Sequence, residues 1–230
     1  MSRDVHTEIV RVPLLTADER GEMESLYRAY YEGAREEAFA ADLAEKDLAI
    51  LLKDGDVTCG FSTLLVYPFE DMRVLFSGDT IVDRVHRNQV GLAGAFGHVM
   101  TYFADPQLPP LFWFLICKGA RTYRFLPTFF KRFTPGEVDE PELAQRLQRI
   151  AAARFPSVYS AKTGVLRFGA GKDRLKKDEL RMDAQSVRFR QLNPGWAAGD
   201  ELCCCASLAR DNLNRLGERV IAATQPIWRL

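Results

Sequence analysis

The residues best placed for chemistry lie in one stretch, Ser77-Gly78-Asp79-Thr80-Ile81-Val82-Asp83-Arg84-Val85-His86-Arg87-Asn88-Gln89-Val90-Gly91-Leu92-Ala93. A buried-strand pattern ends there, a polar loop turns, and Gly91 opens a helix with the small residues Ala93 and Gly94 behind it. The first amides of a helix lack internal partners and sit at the positive end of its dipole, so such a tip can receive a diphosphate. Arg84, Arg87 and His86 would add charge or donors beside it. The plainer reading of the same segment is an ordinary strand–loop–helix connection with exposed arginines. Asp79 is the one carboxylate inside the strand pattern. Partly desolvated at a strand end, it could hold a raised pKa and accept a proton; as a turn or bulge residue it would bond nearby amides instead.

The elements that must position this stretch can be read from periodicity. Thr16-Ala17-Asp18-Glu19 is a capping box, and Met23, Leu26, Tyr27 and Tyr30 follow at helical spacing up to Gly33. A second amphipathic piece runs from about residue 34 to 45, with Phe39 and Leu43 on its apolar side. Leu48 to Leu52, the Asp54-Gly55 turn, Val57 to Tyr67 and Val74 to Val82 predict an antiparallel meander, with a bulge or close approach at Gly60. A helix from about Gly91 to Ala104 buries Leu92, Phe96, Val99, Met100 and Phe103. Leu111 to Ile116 predicts a buried strand, and Tyr123 to Phe133 a helix stopped by Pro135-Gly136. Beyond lie a helix over Pro141 to Phe155, strands over Val165 to Phe168, Val187 to Leu192 and Glu201 to Leu208, and a last helix carrying Leu213, Leu216, Val220 and Ile221. Lys172 to Arg181 reads as a solvated charged loop or helix face.

Composition narrows the function class. The 230 residues hold 31 lysines and arginines against 31 aspartates and glutamates, a net charge of zero, which argues against a protein that grips nucleic acid or an acidic membrane through bulk charge. The apolar run Leu108 to Cys117 is broken by Pro109 and Pro110 and too short to span a bilayer, and no secretion signal opens the chain. Five cysteines, three of them consecutive (Cys203 to Cys205), make no disulfide framework, and a reduced cytoplasm is the expected location. No zinc-ligand spacing is present, so no metal is expected. No G-x-S-x-G elbow appears. Gly169-Ala170-Gly171-Lys172 fails as a phosphate loop because Leu166 occupies the first glycine position and Asp173 follows the lysine.

The order ααβββαβα, with its loop at the strand–helix junction, resembles the GNAT superfamily of N-acyltransferases over roughly Thr16 to Phe133. The resemblance implies an α/β (α+β) fold: a mixed, mostly antiparallel sheet flanked by helices. Residues 1–136 would form the core, and 137–230 a C-terminal extension completing the sheet within the same compact domain. In that family the loop reads Q/R-x-x-G-x-G/A, and its amides bind the pyrophosphate of coenzyme A. Two registers compete here: Arg87 to Leu92 keeps the arginine but has Val90 and Leu92 for the glycines, whereas Asn88 to Ala93 keeps Gly91 and Ala93 but starts on asparagine. The implied donor contacts are Asn88, Gln89, Val90, Gly91, Leu92, Ala93 and Arg87 around the diphosphate. Ile81, Val82 and Arg84 would lie along the pantetheine arm, in a splay facing Leu111 to Ile116.

Acyl transfer to an amine needs a base, and the departing thiolate profits from an acid. Asp79 is the expected base. The family's acid is often a tyrosine on the helix after the fifth strand, but Phe130 stands at that place in Phe129-Phe130-Lys131-Arg132-Phe133, leaving Tyr123 as the substitute. Cys117 would be a nucleophile only with a basic neighbour and is otherwise a buried inert thiol. Most of the aromatics between Tyr102 and Phe133 must be core. Should some line a cleft, they would suit a long acyl chain on acyl carrier protein, whose acidic surface could meet Arg84, Arg87, Arg121 and Arg124. The acceptor would be a small-molecule or peptide amine, met by Tyr27, Tyr30, Tyr31 and Glu32 as exposed candidates. The expected function is therefore acyl transfer from an acyl-CoA or acyl-carrier thioester to an amine. The alternative is a GNAT-shaped binding or regulatory module without catalysis, suggested by Phe130 and the altered loop.

Overall fold

The computed structural model describes residues 5–87, 90–168, 174–175 and 183–230. In chain order the elements are β1 (Val5–Arg11), α1 (Ala17–Tyr30), β2 (Tyr31–Glu32), α2 (Glu36–Ala44), β3 (Leu48–Asp54), β4 (Val57–Phe69) and β5 (Met72–Val82). There follow α3 (Gly91–Phe103), β6 (Leu111–Cys117), α4 (Ala120–Phe129), β7 (Phe133–Thr134), α5 (Pro141–Arg154), β8 (Tyr159–Ser160), β9 (Val165–Leu166) and β10 (Arg174–Leu175). The chain ends with α6 (Ala184–Leu192), β11 (Glu201–Ser207), α7 (Arg215–Ala223) and β12 (Ile227–Arg229). The main sheet runs β12-β1-β3-β4-β5-β6-β11-β9-β8, with β7 also on β11. Among the described residues only β12–β1 and β5–β6 pair in parallel, so the sheet is mixed and mostly antiparallel, as the resemblance implies.

Alternation along the strands divides the core between two faces. Val10, Ala49, Leu51, Phe61 and Ile81 meet Met23 and Tyr27 of α1 and Phe39 and Leu43 of α2. Further along that face, Val74, Phe76, Phe112, Phe114 and Cys205 meet Leu143, Leu147 and Ile150 of α5. On the opposite face, Ile50, Leu52, Leu75, Trp113 and Leu115 pack with Leu92, Val99 and Met100 of α3 and with Leu126 of α4. β3 is buried for six residues running, so its sequence shows no polar alternation. α7 clamps α3 through its glycines: a Cβ on Gly94 would collide with Thr224, and one on Gly97 with Ile221. His98 Nε2 lies 3.1 Å from Ile221 O and 2.8 Å from Thr224 O, tying α3 to the end of α7.

Several expectations need correction. Val187 to Leu192 is helical, not a strand: Asp183 Oδ1 accepts the Ser186 amide at 2.9 Å, and this cap overrides the alternating Val-Arg-Phe-Arg pattern. α4 starts at Ala120 and ends at Phe129, two residues after its internal Pro127, rather than running from Tyr123 to Phe133. The Val165 strand stops at Leu166. Leu213 precedes the last helix. The edge strands β1 and β12 were not anticipated; β12 closes beside β1, bringing the two ends of the chain together. Of the charged stretch 172–181, only Arg174–Leu175 is described, as a strand paired with β2; the rest, and the segment 169–172, lie outside the described residues. No helix among the described residues is long and apolar enough to cross a membrane.

Candidate active site

The site starts from an irregularity in β5. Ser62 faces Thr80 and Leu64 faces Ser77, so Thr63 alone opposes the pair Gly78 and Asp79. Such a bulge bends and twists the strand that carries the extra residue. Gly78 makes it possible: a Cβ there would stand 2.6 Å from Thr63 Oγ1 and 2.9 Å from Lys46 Cε. β5 and β6 pair from Arg73↔Leu111 to Ser77↔Leu115 and no further. Gly78 to Val82 continue along β4 while Ile116 and Cys117 continue along β11. The two strands therefore part in a V, as the resemblance implies. A second bulge sits beside Gly60, where Leu52 faces Gly60 and Lys53 faces Thr58; a Cβ on Gly60 would be 3.0 Å from Ile81 O.

A cavity opens on each face of the V. One, of about 360 Å³, lies between α2 and α5 and is lined by Tyr27, Asp42, Phe76, Asp79, Arg154 and Glu201, among others. The other, of about 290 Å³, lies between α3 and α4, with Ile81, Val82, Leu92, Ala93, Phe125 and Phe129 on its walls. Tyr31, Thr80, Lys118 and Thr122 line both, so the cavities meet at the opening.

The α3–α4 cavity gathers much of the predicted donor set. Ile81, Val82, Arg87, Val90, Leu92 and Ala93 line it. Gly91 does not; it packs on β1 and β3, where a Cβ would stand 3.0 Å from Thr7 Cγ2 and 3.3 Å from Leu52 Cδ1. Asn88 and Gln89 lie outside the described residues. The Arg84 side chain is exposed and away from the lining, while its amide donates to Tyr30 Oη and to Asp83 Oδ1, each at 2.7 Å. Tyr30 Oη donates in turn to Asp83 Oδ1 at 2.7 Å. That bond holds the Asp83 carboxyl below its ordinary range, while burial and Asp83 push the phenol up. Arg87 donates to Val82 O at 3.2 Å and lays its guanidinium 5.1 Å over the Tyr30 ring. Arg121 and Arg124 line the same cavity from α4, Arg124 paired with Asp183 at 2.6 Å. His86 is no ligand donor: it is buried, with Nε2 3.1 Å from Asp54 Oδ2, and fastens the loop to the β3–β4 hairpin.

The predicted base and acid are not brought together. Asp79 is half-buried and lines the α2–α5 cavity. Tyr123 is buried to 1%, donates to Pro135 O at 2.9 Å, and lines neither cavity of the V; burial pushes its phenol up to about 12. Because α4 begins one turn earlier than predicted, Tyr123 faces Phe133 and Phe189 in the core. Phe130 packs on Trp113 with ring centroids 5.6 Å apart. Tyr27 and Tyr31 are buried rather than exposed, and both line the α2–α5 cavity, whereas Tyr30 belongs to the other side. Glu32 is exposed and outside both linings. Cys117 is a fully buried thiol 3.8 Å from Cys204 Sγ, which is the inert alternative; burial pushes the Cys203, Cys204 and Cys205 thiols up as well.

Sequence reasoning missed Lys118 and Glu201. Lys118 opens the turn out of β6 with Nζ 4.3 Å over the Tyr31 ring and 3.7 Å from Glu201 Oε1. Glu201, 1% exposed, opens β11 and lines the α2–α5 cavity. Only the β6–β11 pairing brings these two distant positions together.

No protein-family model and no curated protein matches the chain. Among solved structures, it is similar to a GNAT family N-acetyltransferase (YhbS) from Escherichia coli in complex with CoA, at 16% identity and TM-score 0.41 over 56% of this chain and 71% of that one. It is also similar to FeeM, an N-acyl amino acid synthase from uncultured soil microbes, at 17% identity and TM-score 0.40 over 56% and 80%. An aminoglycoside 6′-N-acetyltransferase complexed with coenzyme A matches at 12% identity and TM-score 0.41 over 87% and 97%. What the site can do chemically rests on its own geometry.

Proposed function

We propose that the protein transfers an acyl group from a phosphopantetheine thioester to an amine, with the thioester held in the V between β5 and β6. The observation that carries this reading is the end of pairing at Ser77↔Leu115 together with two cavities that meet across the gap. Unpaired backbone beyond Ser77 can take an extended pantetheine arm as if it were a further strand. The α3–α4 cavity suits the donor: its walls are apolar near the V, while Arg87, Arg121 and Arg124 offer charge to a diphosphate near the start of α3. Asn88 and Gln89, by sequence, and Val90, Leu92 and Ala93 would complete the phosphate loop.

The α2–α5 cavity suits the acceptor. Asp79 sits at the rim of the V and takes the proton released when the amine attacks the thioester carbonyl. The cavity lining is mixed in sign, with Asp42, Glu45 and Glu201 alongside Arg35, Arg154 and Lys118, as a polar amine would need. The donor is either acyl-CoA or an acyl-loaded carrier protein, since both present the same arm. Exposed Arg84 is available to an acidic carrier surface. The titratable set lies within a folded cleft open to solvent, which favours turnover over a binding module.

The test is release of free thiol and formation of amide, followed with acetyl-CoA, longer acyl-CoAs and acyl-loaded carrier protein against a panel of primary amines. Turnover that falls with Asp79→Ala supports the reading. Tight acetyl-CoA binding with turnover rejects the long-chain carrier version. Thioester binding without turnover from any donor leaves the non-catalytic module.

A further inference from the structure

The acyl-transfer reading leaves the departing thiolate without a proton donor, because Phe130 has none and Tyr123 gives its proton to Pro135 O in the core. We propose that Lys118 is the general acid, delivering a proton from Nζ to the thiolate sulfur; this inference rests on the acyl-transfer reading.

Lys118 stands just beyond β6, where β6 has left β5, and it lines both cavities. A thioester spanning the V must pass the four residues shared by the cavities: Tyr31, Thr80, Lys118 and Thr122. Lys118 alone among them carries a positive charge. Threonine hydroxyls hold their protons too tightly to give them to a thiolate; of the two remaining groups, the Lys118 ammonium, 4.3 Å over the Tyr31 ring, adds a positive charge that the neutral phenol lacks. An ammonium and a thiol differ by about two pKa units in water, so the proton moves between them at little cost. Before it moves, the charge already favours the thiolate as it forms. The Tyr31 ring, 4.3 Å below Nζ, and the buried Glu201 carboxylate, 3.7 Å from it, fix the place of the ammonium beside the gap.

The step balances. The amine nitrogen bonds the carbonyl carbon and gives its surplus proton to Asp79. The C–S bond breaks, its electron pair leaves with sulfur, and that sulfur takes a proton from Lys118 Nζ. Asp79 then holds one proton more and Lys118 one fewer, and transfer between them through solvent restores both. Nothing is oxidised or reduced.

The experiment compares acetyl-CoA, an alkyl thioester, with the aryl thioester S-acetyl-4-nitrothiophenol, whose thiolate leaves unprotonated. Hydroxylamine serves as the acceptor. Lys118→Met should lower kcat/KM about 100-fold for acetyl-CoA and less than about 3-fold for the aryl donor. Lys118→Arg keeps the charge and the Glu201 contact but yields no proton. It should fold as the wild type and show the same split, with a loss of about 10-fold on acetyl-CoA. Equal losses on both donors, or no loss on either, overturn the role of Lys118 while acyl transfer stands. A wild-type protein that cleaves neither thioester, and no longer acyl-CoA or acyl-loaded carrier protein either, overturns acyl transfer and the role of Lys118 with it.

Discussion

The indole N–H of Trp113 donates to Ser77 Oγ at 3.0 Å, with both side chains buried. This bond fastens β6 to β5 at the last step before they separate, and the bulge at Gly78 and Asp79 follows at once. A clasp and a bend in sequence define the apex of the V. Neither depends on a ligand, so the opening is built into the fold.

Gly78→Ala should therefore cost more than a surface substitution. Its methyl would press on Thr63 Oγ1 and Lys46 Cε, the latter held by its ion pair to Asp42 at 2.7 Å. The expected loss is about 1–3 kcal/mol of stability, read from urea unfolding, with weaker thioester binding. Unchanged stability and binding would show that the bulge tolerates a side chain.

Tyr30→Phe removes the hydroxyl that links Asp83 to the Arg84 amide but leaves the ring beneath Arg87. The loop entering the α3–α4 cavity should loosen. Calorimetry should give a CoA Kd raised about 5- to 10-fold, corresponding to one hydrogen bond of about 1 kcal/mol or slightly more, with the amine KM unaffected.

Much of this frame is legible in the sequence because it is local. The Thr16–Glu19 capping box forms as read, with the Glu19 amide 3.2 Å from Thr16 Oγ1. The Asp54-Gly55 hairpin and the bulge beside Gly60 also follow from residue type. What was not legible depends on partners far away in the chain. β1, Val-His-Thr-Glu-Ile-Val-Arg, shows no clean alternation, and its place is set by pairing with β3 and β12. Tyr123 looked like a helix-borne acid until the true start of α4 turned it inward. Gly94 reads in the sequence only as a small residue behind Gly91, and its need is the close passage of Thr224 at the end of α7. Lys118 beside Glu201 exists only once β6 and β11 are side by side.

A second cluster joins the chain ends and should make the fold sensitive to acid. Glu19 contacts Lys53 Nζ at 2.8 Å and Arg229 Nη1 at 2.6 Å, and Arg229 also reaches Glu8 at 2.8 Å. Burial alone would raise the Glu19 pKa, but hydrogen bonds from Arg229, Lys53 and the Thr16 amide outweigh it and hold the carboxyl at about 2. A carboxylate depressed in the folded state stabilises it above the unfolded pKa, and that contribution fades as pH falls from the ordinary carboxylate range towards 2. Thermal melts should show a Tm falling over that window. Arg229→Ala should cost about 3 kcal/mol at pH 7, because two carboxylates lose their shared partner, and should flatten the acid dependence. A melt equally pH-dependent in both proteins would contradict this account.

Asp79→Asn keeps the size of the side chain and removes its capacity to hold a proton. The turnover number should fall about 100-fold, with the CoA Kd unchanged. A variant retaining wild-type turnover would take Asp79 out of the reaction.

Acyl transfer through the V is tested most directly by filling it. Ala93 is half-buried on the wall of the α3–α4 cavity, and Ala93→Trp would occupy that space from the first turn of α3. The decisive measurement is amide formed from acetyl-CoA and an amine, by mass spectrometry, for wild type and for Ala93→Trp with an unchanged melting temperature. The account predicts turnover by the wild type and a loss of at least about 100-fold in the filled variant. Amide formation at the same rate in both proteins would contradict it.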